Sequence, residues 1–149
     1  MSQQLVIKSA DLVIAPSRGE LDVRTVLHTL PQGKGWVFGL FTLEHKEDIA
    51  RERVAHILKS HLEHLAADLG DETNVVRRFE QALSRVNRDL HRAAKDLSLN
   101  IDKFHAVIGV LSRGQIFMSG IGKLKALFLH KTAERRYVIY ELDAQFHDG

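Results

Sequence analysis

Residues 104–130 read FHAVIGVLSRGQIFMSGIGKLKALFLH, and two features of this stretch decide the fold. Phe104–Leu111 is apolar and rich in β-branched residues, Gln115–Ser119 is a second short run, and Ser112-Arg-Gly114 lies between them. That arrangement reads as a β-hairpin. Gly120-Ile-Gly122-Lys123 then separates the hairpin from a third apolar run, Leu124–His130. A phosphate loop needs an earlier glycine at a fixed interval and Ser or Thr after the lysine, but Phe117 and Leu124 hold those places. A dinucleotide loop needs a third glycine with a helix behind it, whereas Ala126–Leu129 has strand character. The glycines are therefore expected to relieve a bend or bulge between strands, and Lys123 with Lys125 is a candidate contact for an anion.

Working outward, Tyr137–Leu142 is a further strand after the polar Lys131–Arg136 connection. On the other side the period changes. Phe79, Leu83, Val86, Leu90, Ala93 and Leu97 recur at alternating steps of four and three, which is a helical seam. Ile49, Val54, Ile57, Leu58, Leu62, Leu65 and Leu69 form the expected apolar stripe of an earlier helix, with Gly70 as its stop. The two helices should make an antiparallel hairpin. Before them, Leu21–Leu30 and Trp36–Thr42 flank Pro31-Gln-Gly-Lys-Gly35 and read as another β-hairpin. Trp36–Thr42 (WVFGLFT) is apolar almost throughout, as a strand buried on both faces would be. Leu5–Ile7 and Leu12–Ala15 add two short strand candidates. The order predicts an α+β fold: mostly antiparallel sheets packed with a long antiparallel helical hairpin.

At 149 residues the chain is expected to be a single domain. Its 21 Lys and Arg against 19 Asp and Glu leave a net charge of +2, which makes nucleic acid an improbable partner on charge alone. The absence of cysteine excludes disulfides, thiolate nucleophiles and cysteine-ligated zinc. The opening MSQQLVIKSADL has the pattern of neither a secretion signal nor a membrane span, so a cytoplasmic protein is expected.

Three side-chain groups invite a chemical reading. His61 and His64, with His56 a turn away, lie three apart as H-L-E-H, not at the four-residue spacing of a zinc-hydrolase motif, and are expected to be packing residues. Glu44, His45 and Asp48 fall where the first helix opens. Acids there offset the helix macrodipole, and Thr42 is the expected cap. The same three are the candidate ligands for a hard cation such as Mn or Mg. Arg78, Arg85 and Arg92 recur every seven residues on the second helix, with Glu80, Asp89 and Asp96 as expected i,i+4-type partners.

In order and pattern the elements over residues 20–142 resemble the first half of the metal-dependent serine/threonine protein phosphatases, the PPM or type 2C family. The resemblance implies that Thr42-Leu43 stands at the family's Asp-Gly metal motif, and that Phe104-His105 falls near its Thr-Thr pair. Gly122-Lys123-Leu124-Lys125 stands at its Gly-Asp-Ser-Arg, and Glu20 or Asp22 near an earlier acidic motif. In the family two metal ions activate water and neutralise phosphoryl oxygens. Thr, Leu and Lys at ligand positions would not hold them.

The resemblance therefore implies a chain that is either a shortened relative or the first half of a longer domain. It is expected to be a non-catalytic, phosphatase-like (pseudophosphatase) module with no catalytic residues and no cofactor. Such a module would act through a protein partner or self-association. The alternatives are a metal-dependent phosphohydrolase with ligands moved to Glu44, His45 and Asp48, and weak nucleic-acid or anion binding through the basic helix face.

Overall fold

The computed structural model describes residues 21–70, 74–124 and 126–142; the strand candidates Leu5–Ile7 and Leu12–Ala15, and Lys125, lie outside them. The elements are β1 (Leu21–Thr29), β2 (Gly35–Glu44), α1 (Asp48–Asp68), α2 (Val75–Leu97), β3 (Phe104–Ser112), β4 (Gln115–Ile121), β5 (Ala126–Lys131) and β6 (Tyr137–Leu142). The first four strands form one antiparallel sheet in the order β1-β2-β3-β4, and β5 pairs with β6 in a second, two-stranded sheet. The expected α+β class, with antiparallel sheets and a helical hairpin, is what the chain adopts.

Turn chemistry fixes the register. Arg113 and Gly114 both have positive φ (51° and 75°) and join the paired residues Ser112 and Gln115. Two left-handed residues in a two-residue loop match the strand twist, and Gly114 takes that conformation without steric cost.

The helical hairpin is inserted between β2 and β3 and packs on one face of the sheet. Val37, Phe41 and Leu43 from β2 meet Phe104, Ala106, Ile108 and Val110 from β3, and the layer is closed by Leu58, Leu62 and Leu65 of α1. Close approach explains Gly39: a Cβ there would lie 2.8 Å from Leu62 Cδ1. The seam of α2 buries Phe79, Ala82, Val86, Leu90 and Ala93. Its first turn is capped by Asn74, whose side chain accepts from the Arg77 N–H at 3.1 Å. Its last turn closes through Ser98 in the left-handed region.

Three expectations need correction, and that of Gly70 holds for a different reason. Ile49 is 77% exposed; the buried row of α1 runs through Ala50, Val54, Ala55, Leu58 and Leu62, and Ile49 projects from the opposite side of the wheel. Thr42 is not the cap, because β2 continues to Glu44 and the capping position is Glu47, with no side-chain cap bond. Gly70 follows α1 as expected but without positive φ; it is small because a Cβ there would lie 2.8 Å from Pro31 Cγ. Trp36–Thr42 is buried on one face only. Val37, Gly39 and Phe41 are covered, while Trp36, Phe38 and Thr42 are half-buried and Leu40 is exposed.

Candidate functional site

Antiparallel register gathers three distant segments at one end of the large sheet, where β2 and β4 finish and β3 begins. Thr42 lies opposite His105 and Leu43 opposite Phe104. Beyond the last β3–β4 pair, Ala106 with Ile121, the chain turns at Gly122 with φ +78°. The Lys123 backbone N–H donates to His105 Nδ1 at 3.1 Å. A nitrogen that accepts carries no proton, so the neutral ring holds its proton on Nε2 and keeps a donor for a further group. Gly122 is needed twice over here. Its φ lies in the left-handed region, and a Cβ would stand 2.0 Å from His105 Nδ1.

The bend expected at Gly120–Gly122 is thus a turn at Gly122 alone; Gly120 lies within β4, opposite Val107. Lys123 is exposed, and its side chain has no acidic partner among the described residues.

The carboxylates closest in sequence to this end are committed to cations. Lys103 Nζ donates to both oxygens of Glu44 at 3.0 Å. Asp48 pairs with Arg51, which also donates to the His45 carbonyl. His45 Nδ1 accepts from the Glu47 N–H at 3.1 Å. Asp22 accepts from Arg24 Nε at 2.8 Å, and the same guanidinium reaches Glu52 on α1. Hydrogen bonding from Arg24 holds the Glu52 carboxyl below its ordinary range, and the bond to Glu52 raises Arg24 in turn. The side chains of Glu44, His45 and Asp48 are therefore each already engaged. Among the described residues no group of three or more His, Asp or Glu is arranged to hold a metal ion.

A hard divalent ion such as Mn or Mg takes anionic and carbonyl oxygens. The groups meeting at the sheet end are the imidazole of His105, the backbone N–H of Lys123 that it accepts from, and Thr42 opposite in register. That set offers no anionic oxygen and does not fit such an ion.

The helical histidines are occupied otherwise. His61 Nε2 lies 2.8 Å from Asp89 Oδ2 on α2, and His64 Nδ1 lies 2.7 Å from the Ser60 carbonyl; His56 is exposed. The bond from His61, with a second from Arg88, keeps the Asp89 carboxyl below its ordinary value. Farther along the hairpin Arg53 of α1 donates to Asp96 of α2 at 3.0 Å.

These two contacts correct the expected i,i+4 pairing along α2. Asp89 goes to His61 and its neighbour Arg88 rather than to Arg85, and Asp96 goes to Arg53 rather than to Arg92. Both acids lie on the flank of α2 that faces α1, where a cross-helix partner competes with the one a turn away.

The sequence placed Lys123 near the bend but missed His105 as the group that fixes it. Only the pairing of β3 with β4 brings the two together. No helix among the described residues is long and apolar enough to cross a membrane. A comparison with protein-family models, curated proteins and solved structures found no match to this chain.

Proposed function

We propose that this chain is a non-catalytic, phosphatase-like domain that works as a protein-interaction module. One observation carries the reading. The segments holding Thr42-Leu43, Phe104-His105 and Gly122-Lys123, which the resemblance sets against the metal and flanking motifs of the phosphatases, meet at a single end of the sheet. The side chains they bring are a hydroxyl, an imidazole and an ammonium, which suit hydrogen bonding to a neutral or anionic group rather than capture of a cation. The relocated-ligand alternative has less support, since Glu44 and Asp48 already neutralise Lys103 and Arg51.

The test is thermal melting in millimolar Mn or Mg against chelator, with turnover of a generic phosphomonoester measured on the same samples. A site filled at ~100 times its dissociation constant adds ~2.7 kcal/mol, or a rise of roughly 5–10 °C for a chain of this size. The expected result is no metal-dependent shift and no turnover. A rise of that order, with turnover abolished by Asp48→Ala, would replace this reading with the hydrolase.

A further inference from the structure

The outward face of α2 carries a line of five cations, four of them without a local counter-charge among the described residues. Arg77, Arg85, Arg92 and Lys95 are exposed, and none has an acidic partner among the described residues. Arg88 joins the same face and shares Asp89 with His61. At about 100° per residue these five side chains fall within roughly 80° of the helix circumference. At a rise of about 1.5 Å per residue, the line from Arg77 to Lys95 runs roughly 27 Å. Of the three acids that the sequence interleaves with them, Asp89 and Asp96 are held toward α1 by His61 and Arg53, while Glu80 stays exposed. The hairpin's own ion pairs therefore sharpen the basic line instead of cancelling it.

We propose that this line is the docking surface of the interaction module, and that its partner is an acidic protein segment laid along α2, most simply a glutamate- or aspartate-rich helix. The inference rests on the non-catalytic reading above and names its partner class. Four of the five groups are arginines, whose planar fork takes a carboxylate through two parallel hydrogen bonds.

A polyphosphate backbone fits less well. A duplex is wider than one helix face. Single strands are gripped by stacking on aromatic side chains, and α2 has no Trp or Tyr and buries its one Phe, Phe79. An acidic helix needs only a single face and repeats its carboxylates at the spacing of the arginines.

The experiment measures anisotropy of a labelled glutamate-rich helical peptide of about 20 residues, which spans ~30 Å as a helix, added to the full chain at ~0.15 M salt. Its glutamine counterpart and a DNA duplex of matched length are the comparison probes. Arg85→Glu with Arg92→Glu is expected to weaken peptide binding at least about tenfold. Lys34→Glu with Lys46→Glu, which changes net charge equally but away from α2, is expected to leave it unchanged. The neutral pair Arg85→Gln with Arg92→Gln should weaken binding to an intermediate degree, and serves if the double reversal melts early.

Absence of peptide binding, equal loss in the Lys34/Lys46 variant, or tighter binding of the duplex than of the peptide would each overturn the proposal. Metal-dependent turnover would remove the non-catalytic reading and leave the peptide result standing; failure of the peptide would leave that reading intact.

Discussion

The two faces of the four-stranded sheet are built from the same strands and almost the same kinds of residue, yet they are packed very differently. On the helix-facing side Val37 and Val110 are fully buried, under Leu58 and Leu62 of α1. On the other side Trp36 and Phe38 are half-buried, Leu40 is 38% exposed and Ile116 46% exposed. Side chains alternate between faces along a strand, so neighbours such as Phe41 and Leu40 differ in burial while matching in hydrophobicity. Apolar character shows what a face can bury. The element laid across it decides what is buried.

The largest expected effect tests that covering layer. Leu62 is 1% exposed, and a Cβ on Gly39 would lie 2.8 Å from its Cδ1. Leu62→Ala should cost about 2–5 kcal/mol through lost transfer energy and a residual cavity, a fall in melting temperature of roughly 5–15 °C. Leu40→Ala, one methyl-rich side chain removed from the other face, should cost under about 1 kcal/mol, because little of its surface is withdrawn from water. Equal losses at the two positions would mean that both faces are covered alike.

A matched pair of glycines sharpens the contrast. A Cβ on Gly39 would lie 2.8 Å from Leu62 Cδ1, and one on Gly109 only 2.2 Å from the ring of Phe38. Distance alone makes Gly109 the worse site. Room to yield reverses the order: Phe38 is half-buried and can swing outward, whereas Leu62 is enclosed on every side. Gly39→Ala is expected to destabilise by about 1–3 kcal/mol through overpacking, and Gly109→Ala by less. Chemical denaturation of the two variants decides it, and a larger loss at Gly109 would show that the ring of Phe38 is locked.

Much of this layout was legible because it depends on local signals. Ser112-Arg-Gly114 supplied the turn, and of the seam Phe79, Leu83, Val86, Leu90, Ala93 and Leu97 four residues are buried, with Leu83 and Leu97 half-buried. Ile49 misled because a hydrophobic residue in a first helical turn fits more than one face when the direction of the core is unknown. The same ignorance hid the single-sided burial of WVFGLFT. At the candidate site, Lys123 stood out as a lysine after glycine, but His105 did not, because their bond joins residues 18 apart through strand register. The ion pairs of the hairpin were misassigned for a related reason. Arg85–Asp89 and Arg92–Asp96 have good i,i+4 spacing on paper, and nothing in α2 itself reports that His61 and Arg53 wait on the facing helix.

The smallest effect concerns the rim of the layer that distinguishes the two faces, where His61 ties α1 to Asp89 of α2 at 2.8 Å. The ionised carboxylate can only accept, so His61 Nε2 must carry the proton. That bond, then the one from Arg88, lowers the Asp89 carboxyl below its ordinary 3.8. A carboxyl whose folded value is depressed contributes stability above its unfolded value, and the contribution is lost as pH falls through the folded one. Asp89→Asn should therefore melt slightly below the parent near neutral pH, with the gap closing as the pH drops beneath about 3.8. The residues at this rim are partly exposed and screened, so the gap should be much smaller than that of Leu62→Ala. A gap that stays constant from neutral to acid pH would mean that Asp89 acts through packing rather than charge. The His61–Asp89 contact would then add packing, not charge, to what holds the hairpin over its face of the sheet.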